Sequence, residues 1–261
     1  MPFRGPFCTP LSRLFLATAV AAAAWVVPAP DAGAITIRED IDLRRINRAA
    51  NTARYHGVGR IDTDAPRKSQ SLAGTATLVA PQWVLTAGHV VDGTNATTWS
   101  TRFGERDIVG WTASAGYGSG FGADLALVKL AEPVTDIAPA TLRSTSNVRN
   151  EFNQRALILG VGKSGFGDNG VQRTKQHIRL SHNRIDGIID DNILITDFDS
   201  PVANTSQTGD SRPTRLEGGL VAGDSGGPAF IWDGSGWTLG AVAVYASTGD
   251  PAGLSGKYGE I

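Results

Sequence analysis

Three residues of this chain could together form a nucleophilic centre. Ser225 lies in the glycine-rich run from Gly223 to Pro228, His89 ends the run Thr-Ala-Gly-His, and Asp124 begins the run Asp-Leu-Ala-Leu. A serine hydroxyl attacks a carbonyl only beside a base, and imidazole has a pKa suited to neutral pH. The imidazole in turn needs an acceptor for its other ring nitrogen. The sequence therefore predicts Ser225 as nucleophile, His89 as base and Asp124 as orienting acid.

Taken singly, each of these residues has a purely structural explanation. Ser225 could occupy a surface turn, His89 could be a hydrogen-bonded core histidine, and Asp124 could simply start a strand. Their joint occurrence, in this order and in these local contexts, favours catalysis. The glycines Gly223 and Gly226 permit a turn with positive φ. We therefore predict that the N–H groups of Gly223 and Ser225 bind the oxyanion of a tetrahedral intermediate.

The texture of the chain from Gly57 onward is β, with short apolar stretches separated by turn residues. No helical period of useful length follows the N-terminal segment. This pattern predicts strands and favours barrels or a sandwich. The predicted strands are 75–79, 83–86, 107–111, 125–130, 156–160, 177–181, 193–196, 229–232 and 237–245.

The chain is predicted to have four parts. Residues 1–34 fit a signal peptide, because a positively charged start is followed by an apolar run of about 14 residues, too short to span a bilayer, and a small-residue cleavage site at 32–34. Residues 35–56 are charged and are interpreted as a leading arm or propeptide. A proline-containing linker at 132–150 then separates a first β-unit, 57–140, from a second, 141–261.

Composition limits the partners and cofactors. Removal of the signal peptide takes Arg4, Arg13 and Asp31 from a chain of net charge −1, leaving about −2. That balance predicts neither nucleic acid nor an anionic membrane as partner, and a monomer is the default. The only cysteine, Cys8, lies in the signal peptide, so we expect no disulfide and no thiol chemistry. The histidines show no metal-ligand spacing, and we predict no metal and no cofactor. Export places the protein outside the cell or in a periplasm.

The same residues carry a resemblance to the chymotrypsin/trypsin-like serine peptidase family, covering the chain from about residue 57 to its end. The run 223–228 matches the family's serine motif, 83–89 resembles its histidine strand and 124–130 its aspartate strand. Gly160-Val161-Gly162 resembles a Gly-Trp-Gly segment of the family. The resemblance implies an all-β fold of two six-stranded antiparallel β-barrels with the active site between them. It also implies the roles of His89, Asp124 and Ser225 given above.

Departures from the family pattern bear on specificity and stability. Gly74 and Val90 occupy the positions of two bridged cysteines, a mutually consistent loss. Gly219 occupies the position at which trypsin-like members carry an aspartate for basic side chains, so a preference for arginine or lysine is not supported. By resemblance, the candidates for the specificity pocket are Gly219, Leu220, Ala243 and Tyr245.

The resemblance also raises the question of activation. Family zymogens pair a new N-terminal amine with the aspartate before the serine, here Asp224. Cleavage at Arg45-Ile46 is the hypothesis for the source of that amine, and active material whose N-terminus lay anywhere but at Ile46, at Ile35 or nearby would count against it. The family adds a strand and a C-terminal helix after the serine barrel, whereas this chain stops at Ile261, 36 residues beyond Ser225. We therefore expect a second barrel that is incomplete and lacks that helix.

The function predicted from these motifs is a secreted serine endopeptidase that cleaves polypeptides through an acyl-enzyme. Its specificity stays open, and members of glutamyl-endopeptidase or protein-quality-control type are alternatives that share the triad. The alternative of another class is a truncated, inactive protease-like protein that acts as a binding module.

Overall fold

The computed structural model describes most of the chain after the predicted signal peptide. Residues 1–34 and 247–261 lie outside the described residues, and with them lie the signal-peptide prediction and the expectations about the C-terminal strand and helix. The described residues are 35–64, 72–144, 147–172, 178–202, 205–209 and 212–246.

The first half forms a closed barrel of six strands in the order β2-β3-β4-β7-β6-β5. Alternation builds it: in β7, Ala126, Val128 and Leu130 are buried while the residues between them are exposed, as expected for a strand with one face on a core. The core also contains Leu78, Val84 and the fully buried Trp99. The strands are β2 (Val58–Asp64), β3 (Leu72–Ala80), β4 (Trp83–Thr86), β5 (Asn95–Thr101), β6 (Gly104–Ala113) and β7 (Ala126–Leu130).

The second half contains two four-stranded sheets and a hairpin. One sheet has the order β11-β8-β15-β16 and the other the order β10-β9-β1-β14, while β12 and β13 form the hairpin. The strands are β1 (Thr36–Ile37), β8 (Arg155–Gly160), β9 (Ser164–Phe166), β10 (Gly170–Gln172), β11 (Arg179–Arg184), β12 (Gly187–Ile189), β13 (Ile193–Ile195), β14 (Gly218–Gly219), β15 (Pro228–Trp232) and β16 (Trp237–Val242).

The segment predicted as a leading arm packs into the second half. The strand β1 pairs with β14 and β9, and the helix α1 (Leu43–Ala50) contacts β11. This helix begins at Asp42, whose side chain accepts the Arg44 N–H at 2.9 Å, a common N-cap arrangement. Ile46 is fully buried, in one core cluster with Leu180 and Phe230. The first residues after the predicted cleavage site are therefore part of the folded core.

The all-β fold of the chymotrypsin type is confirmed. The first half closes as the predicted six-stranded barrel, and the second half is a set of sheets in which the described strands do not close. Besides α1, the other α-helix in the described part is α2 (Gly88–Val91), which carries His89. No helix among the described residues is long and apolar enough to cross a membrane.

Candidate active site

Two adjacent strands of the barrel bring His89 and Asp124 together. His89 lies in α2, directly after β4, and Asp124 lies just before β7; the two strands pair antiparallel, with Thr86 opposite Ala126. One carboxylate oxygen of Asp124, Oδ1, accepts the backbone N–H of His89 at 2.9 Å. The other, Oδ2, lies 2.6 Å from His89 Nδ1. The carboxylate therefore holds both the main chain and the ring of the histidine.

The environment of this pair determines which ring nitrogen of His89 is free. Asp124 is buried, while 42% of the His89 side chain is exposed. An ionised carboxylate only accepts hydrogen bonds, so we assign Nδ1 as the donor. In the neutral ring this leaves Nε2 with a lone pair. The geometry thus provides a base whose tautomer is fixed by Asp124.

The serine loop requires glycine at two positions. Gly223 and Gly226 have φ values of +100° and +84°, a region that side chains disfavour. A Cβ on Gly226 would also lie 2.0 Å from the Thr75 carbonyl oxygen and 2.1 Å from Thr86 Oγ1. Gly226 is therefore pressed against the strand end that leads to His89.

The loop points two N–H groups away from the protein's own acceptors. The N–H groups of Asp224, Gly226 and Gly227 donate to carbonyl oxygens at 2.7–3.0 Å. Among the described residues, the N–H groups of Gly223 and Ser225 have no such acceptor. Two unpaired N–H groups flanking a serine are what an oxyanion site needs.

Thr75 of the barrel docks the serine loop. Its N–H donates to the Ser225 carbonyl oxygen at 2.8 Å, and its hydroxyl donates to the Gly223 carbonyl oxygen at 3.3 Å. The same hydroxyl accepts the Val161 N–H at 3.3 Å. Within the described part of the chain the Ser225 hydroxyl makes no hydrogen bond, to His89 or to any other residue.

Tyr117 is a neighbour of the pair that sequence reasoning missed. A Cβ on Gly88 would lie 2.5 Å from the Tyr117 ring and 3.0 Å from Asp124 Oδ1, so glycine lets the ring close over this side of the site. The Tyr117 hydroxyl donates to Asp92 at 3.1 Å. Burial, this bond and the charge of Asp124 raise the pKa of Tyr117 to about 12. The only signal in the sequence was a glycine before His89.

The expected loss of a disulfide beside the histidine is consistent with the packing. A Cβ on Gly74 would lie 2.6 Å from Val90 Cγ1. The valine side chain therefore fills the space above the glycine, and the two positions are compatible only as a pair.

Asp224 is fully buried directly before the serine. Its Oδ2 accepts the Val221 N–H at 3.0 Å, whereas Oδ1 has no hydrogen-bond partner among the described residues. Burial raises the pKa of Asp224 well above its usual value, although the nearby N–H groups of Val221, Gly162 and Ile35 and the charge of Arg179 act in the opposite direction. The N–H groups of Gly162 and Ile35 and the guanidinium of Arg179 lie near the carboxylate, but none of them makes a hydrogen bond of normal geometry to Oδ1. No cation of the described residues is therefore hydrogen-bonded to this buried carboxylate.

The two residues named as possible N-termini, Ile35 and Ile46, are placed differently in the fold. Ile35 is fully buried with its backbone nitrogen near Asp224. Ile46 lies inside α1, with its side chain in the core. The placement of these residues disfavours Ile46 and favours Ile35.

Three of the four specificity-pocket candidates line one cavity of about 490 Å³: Leu220, Ala243 and Tyr245. Ala243 joins this cavity to the serine loop, because its carbonyl oxygen accepts the Gly226 N–H and its N–H donates to Gly227, both at 2.7 Å. Gly219 is not among the lining residues. Phe198 covers it, since a Cβ on Gly219 would lie 2.8 Å from the Phe198 ring. None of the described residues that line the cavity is charged.

Three ionisable groups in the second half of the molecule have shifted pKa values, and these shifts predict how the stability of the protein depends on pH. Burial raises the pKa of Asp186 to about 7, with help from the charge of Asp197, and burial raises the pKa of Glu217 to about 7 against hydrogen bonds from Thr214. A carboxyl group whose folded-state pKa lies above its unfolded value favours folding below the unfolded pKa, and that contribution is lost as pH rises toward 7. Burial lowers the pKa of His182 to about 4, so this histidine costs stability as pH falls below about 6.5.

We therefore expect the Glu217→Gln substitution to help more at high pH than at low pH. The free energy of unfolding of the variant relative to the wild type should rise between about pH 4 and pH 8, because only the wild type must ionise a buried carboxyl. Urea unfolding at several pH values measures this difference. His182→Gln is the matched variant of opposite sign, with its relative gain at low pH. A constant difference between Glu217→Gln and wild type would contradict the expectation.

The described residues contain no group of three or more histidine, cysteine, aspartate and glutamate side chains that could hold a metal ion. The prediction of a site that works without a metal or cofactor stays a prediction.

Comparison with known proteins identifies the family of the chain. The solved structures include one of a thermostable serine protease, AL20, from an extremophilic microorganism, with 18% identity and a TM-score of 0.49 over 79% of this chain and 93% of that one. No curated protein is significantly similar to the chain in sequence. A family model described as Trypsin matches residues 51–257. This match takes in the barrel, the histidine, the aspartate and the serine loop, and on it the chain belongs to the Trypsin family.

Proposed function

We propose that the protein is a secreted serine endopeptidase that hydrolyses peptide bonds through an acyl-enzyme. The observation that carries the proposal is the pairing of His89 with Asp124 beside a serine loop whose two N–H groups are unpaired. The signal peptide predicted at residues 1–34 and the family membership are consistent with the same proposal.

In the proposed reaction, Ser225 Oγ attacks the carbonyl carbon of the scissile bond while His89 Nε2 takes the hydroxyl proton. The N–H groups of Gly223 and Ser225 stabilise the oxyanion, and each donor of such a site contributes about 2.7–4 kcal/mol. His89 then gives its proton to the leaving nitrogen, the C–N bond breaks and an ester to Ser225 remains. Water repeats the sequence: His89 takes its proton, the hydroxide attacks the ester, and Ser225 leaves with the proton.

A serine-directed phosphonate probe tests this proposal. Covalent modification needs an activated hydroxyl and an oxyanion site in one place. We expect the folded protein to be labelled at Ser225 as found by peptide mass spectrometry, and neither the Ser225→Ala variant nor unfolded protein to be labelled. A folded protein that stays unmodified, or is labelled elsewhere, would overturn the proposal and favour the inactive binding module.

We further propose that the mature chain begins at Ile35 and that its α-ammonium group neutralises Asp224. The unpartnered Oδ1 of that carboxylate and the nearby Ile35 nitrogen support this assignment. The predicted cleavage site ends at residue 34, so removal of the signal peptide alone would create the terminus. No separate activating cleavage would then be needed.

The cavity beside Ala243 is proposed to receive the side chain that precedes the scissile bond. Its uncharged lining predicts a preference for apolar side chains, because a buried charge without a partner is costly. We expect kcat/KM for a substrate with leucine at this position to exceed that with arginine or glutamate by at least about tenfold. A panel of otherwise identical fluorogenic peptides measures the ratio.

An engineered charge provides the control for this assignment. Ala243→Asp should improve the relative rate for arginine, while Ala243→Asn, of the same shape but neutral, should not. A wild-type enzyme that prefers arginine or glutamate would show that the cavity does not select the side chain.

A further inference from the structure

The near-neutral total charge conceals a strongly basic segment. Residues 43–60 contain five arginines and no acidic residue, in a chain whose net charge is −1. Among the described residues, the side chains of Arg44, Arg48 and Arg54 make no ion pair, and all three are exposed. The low net charge of the chain therefore does not describe this segment.

The segment forms one wall of a second cavity of about 490 Å³, here called the basic cleft. Asn47 and Asn51 of the α1 region lie on one side, and Ser100, Thr101 and Arg102 at the end of β5 lie on the other. His56 and Arg60 also line it, and the described lining residues include no acidic one. Arg60 is paired with Asp62 at 2.5 Å, and Glu105 lies opposite Ser100 in the sheet. Arg102 donates to the neutral side chain of Asn51 at 2.5 Å, and it makes no ion pair within the described part of the chain.

The chemistry of the cleft indicates a polypeptide ligand. Phe103, the exposed aromatic residue beside it, has Arg102 over its ring at 4.6 Å and the His56 ring at 4.6 Å. It therefore offers little free face on which a nucleic acid base could stack. The apolar side of α1 is buried in the core, so it is not available for a membrane surface. Asparagine amides and hydroxyl groups instead offer the donors and acceptors that a peptide backbone needs.

The cleft lies close to the serine loop. Val161 lines it, and the Val161 N–H donates to the hydroxyl of Thr75. Thr75 in turn holds the carbonyl oxygens of Ser225 and Gly223. Thr75 is fully buried, so these hydrogen bonds connect the wall of the cleft to the serine loop through the interior of the protein.

We propose that the basic cleft binds acidic segments of polypeptide substrates and so holds them next to Ser225. This inference rests on the proposed peptidase function for its role in catalysis, but binding itself does not need catalysis. The ligand is identified by its chemistry, a run of aspartate or glutamate side chains.

Binding to the mature Ser225→Ala protein tests the proposal without turnover. The probe is a fluorescein-labelled peptide of about ten residues rich in glutamate, measured by fluorescence anisotropy at low and high salt. We expect saturable binding that weakens with salt. The Arg44→Ala/Arg48→Ala/Arg102→Ala variant removes Arg102 from the lining of the cleft and two exposed arginines from α1, the helix that also carries Asn47 of the lining, and it should bind at least about tenfold more weakly. Lys129→Ala/Arg149→Ala/Arg215→Ala removes as much charge outside the cleft and should bind like the parent.

Two further arms keep the test decisive. Asn47→Asp adds one negative charge to the wall of the cleft by an isosteric change at an exposed position, and we expect it to weaken binding of the acidic peptide. This variant tests the cleft if the triple variant does not fold. The glutamine version of the peptide should not bind. Absence of binding, equal weakening by both triple variants, or tighter binding of a single-stranded DNA of equal charge would overturn the proposal.

Turnover then separates this proposal from the peptidase proposal. An active enzyme should cleave a substrate with an acidic tail faster than its neutral-tailed counterpart, and the cleft variant should lose only this advantage. A protein that binds the acidic peptide but hydrolyses no peptide substrate would overturn the proposed peptidase function and would still support the binding site.

Discussion

Replacing Asp124 by asparagine is expected to lower kcat/KM for peptide hydrolysis about 10⁴-fold while leaving the fold intact. Asp124 accepts both the backbone N–H and the ring Nδ1–H of His89. The amide of asparagine can donate to Nδ1, which moves the ring proton to Nε2. A protonated Nε2 cannot take the proton of Ser225, so the base is lost although its position is kept.

The pH profile separates this cause from simple disruption. The variant should melt within a few degrees of the wild type and recover activity at high pH, where the serine can lose its proton without a base. Asp136→Asn, at an exposed carboxylate that pairs with Arg106 at the barrel surface, is the matched control and should keep full activity. An Asp124→Asn protein with wild-type kcat/KM would exclude Asp124 from the reaction.

A protein that begins at Ile35 is expected to be about 10²–10³-fold more active than one with a single residue added before it. The added residue moves the ammonium group away from the buried Asp224, and breaking a buried ion pair costs about 3–5 kcal/mol. The serine and the unpaired N–H groups lie directly beside Asp224, so we expect this cost to appear as a loss of the ordered loop. Activity assays on proteins of defined N-terminus, verified by mass spectrometry, measure the ratio.

The Asp224→Asn variant supplies the control for the terminal amine. Without the carboxylate, the two N-termini should give equal activities, because the ammonium group has no partner to meet. A chain that starts at Ile46 should fail to fold, since it loses Ile35, Ile37 and Ile41 from the core. Full activity of the extended protein, with the added residue still present, would refute a role for the Ile35 amine.

Strands in which apolar and polar residues alternate strongly could be predicted from the sequence. The predicted strand 83–86 agrees with β4, and 125–130 agrees with β7 within one residue. The strand β5 was missed because it is mostly polar and buries one large side chain, Trp99, through its position in the barrel. The strand β1 has two residues, too few to give a period.

The candidate site also contains features that the sequence predicts and features that it does not. The residues His89, Asp124 and Ser225 could be proposed because each lies in a local motif of the chain. Contacts between distant segments could not, since no spacing encodes them: Phe198 against Gly219 is one, and Tyr117 against Gly88 is another. The polar character of residues 35–56 predicted an arm. The isoleucines of this segment are nevertheless buried, because they pack into the core of the second half of the molecule.

The hydrogen bonds of Thr75 tie the serine loop, which belongs to one half of the molecule, to a strand of the other. The catalytic groups are consequently divided between two units that are each held by their own strands. Thermal inactivation should then report the separation of the halves and not the melting of either one. A sample heated just enough to lose activity would keep its far-ultraviolet circular dichroism and regain turnover on cooling, as long as the loosened halves do not aggregate.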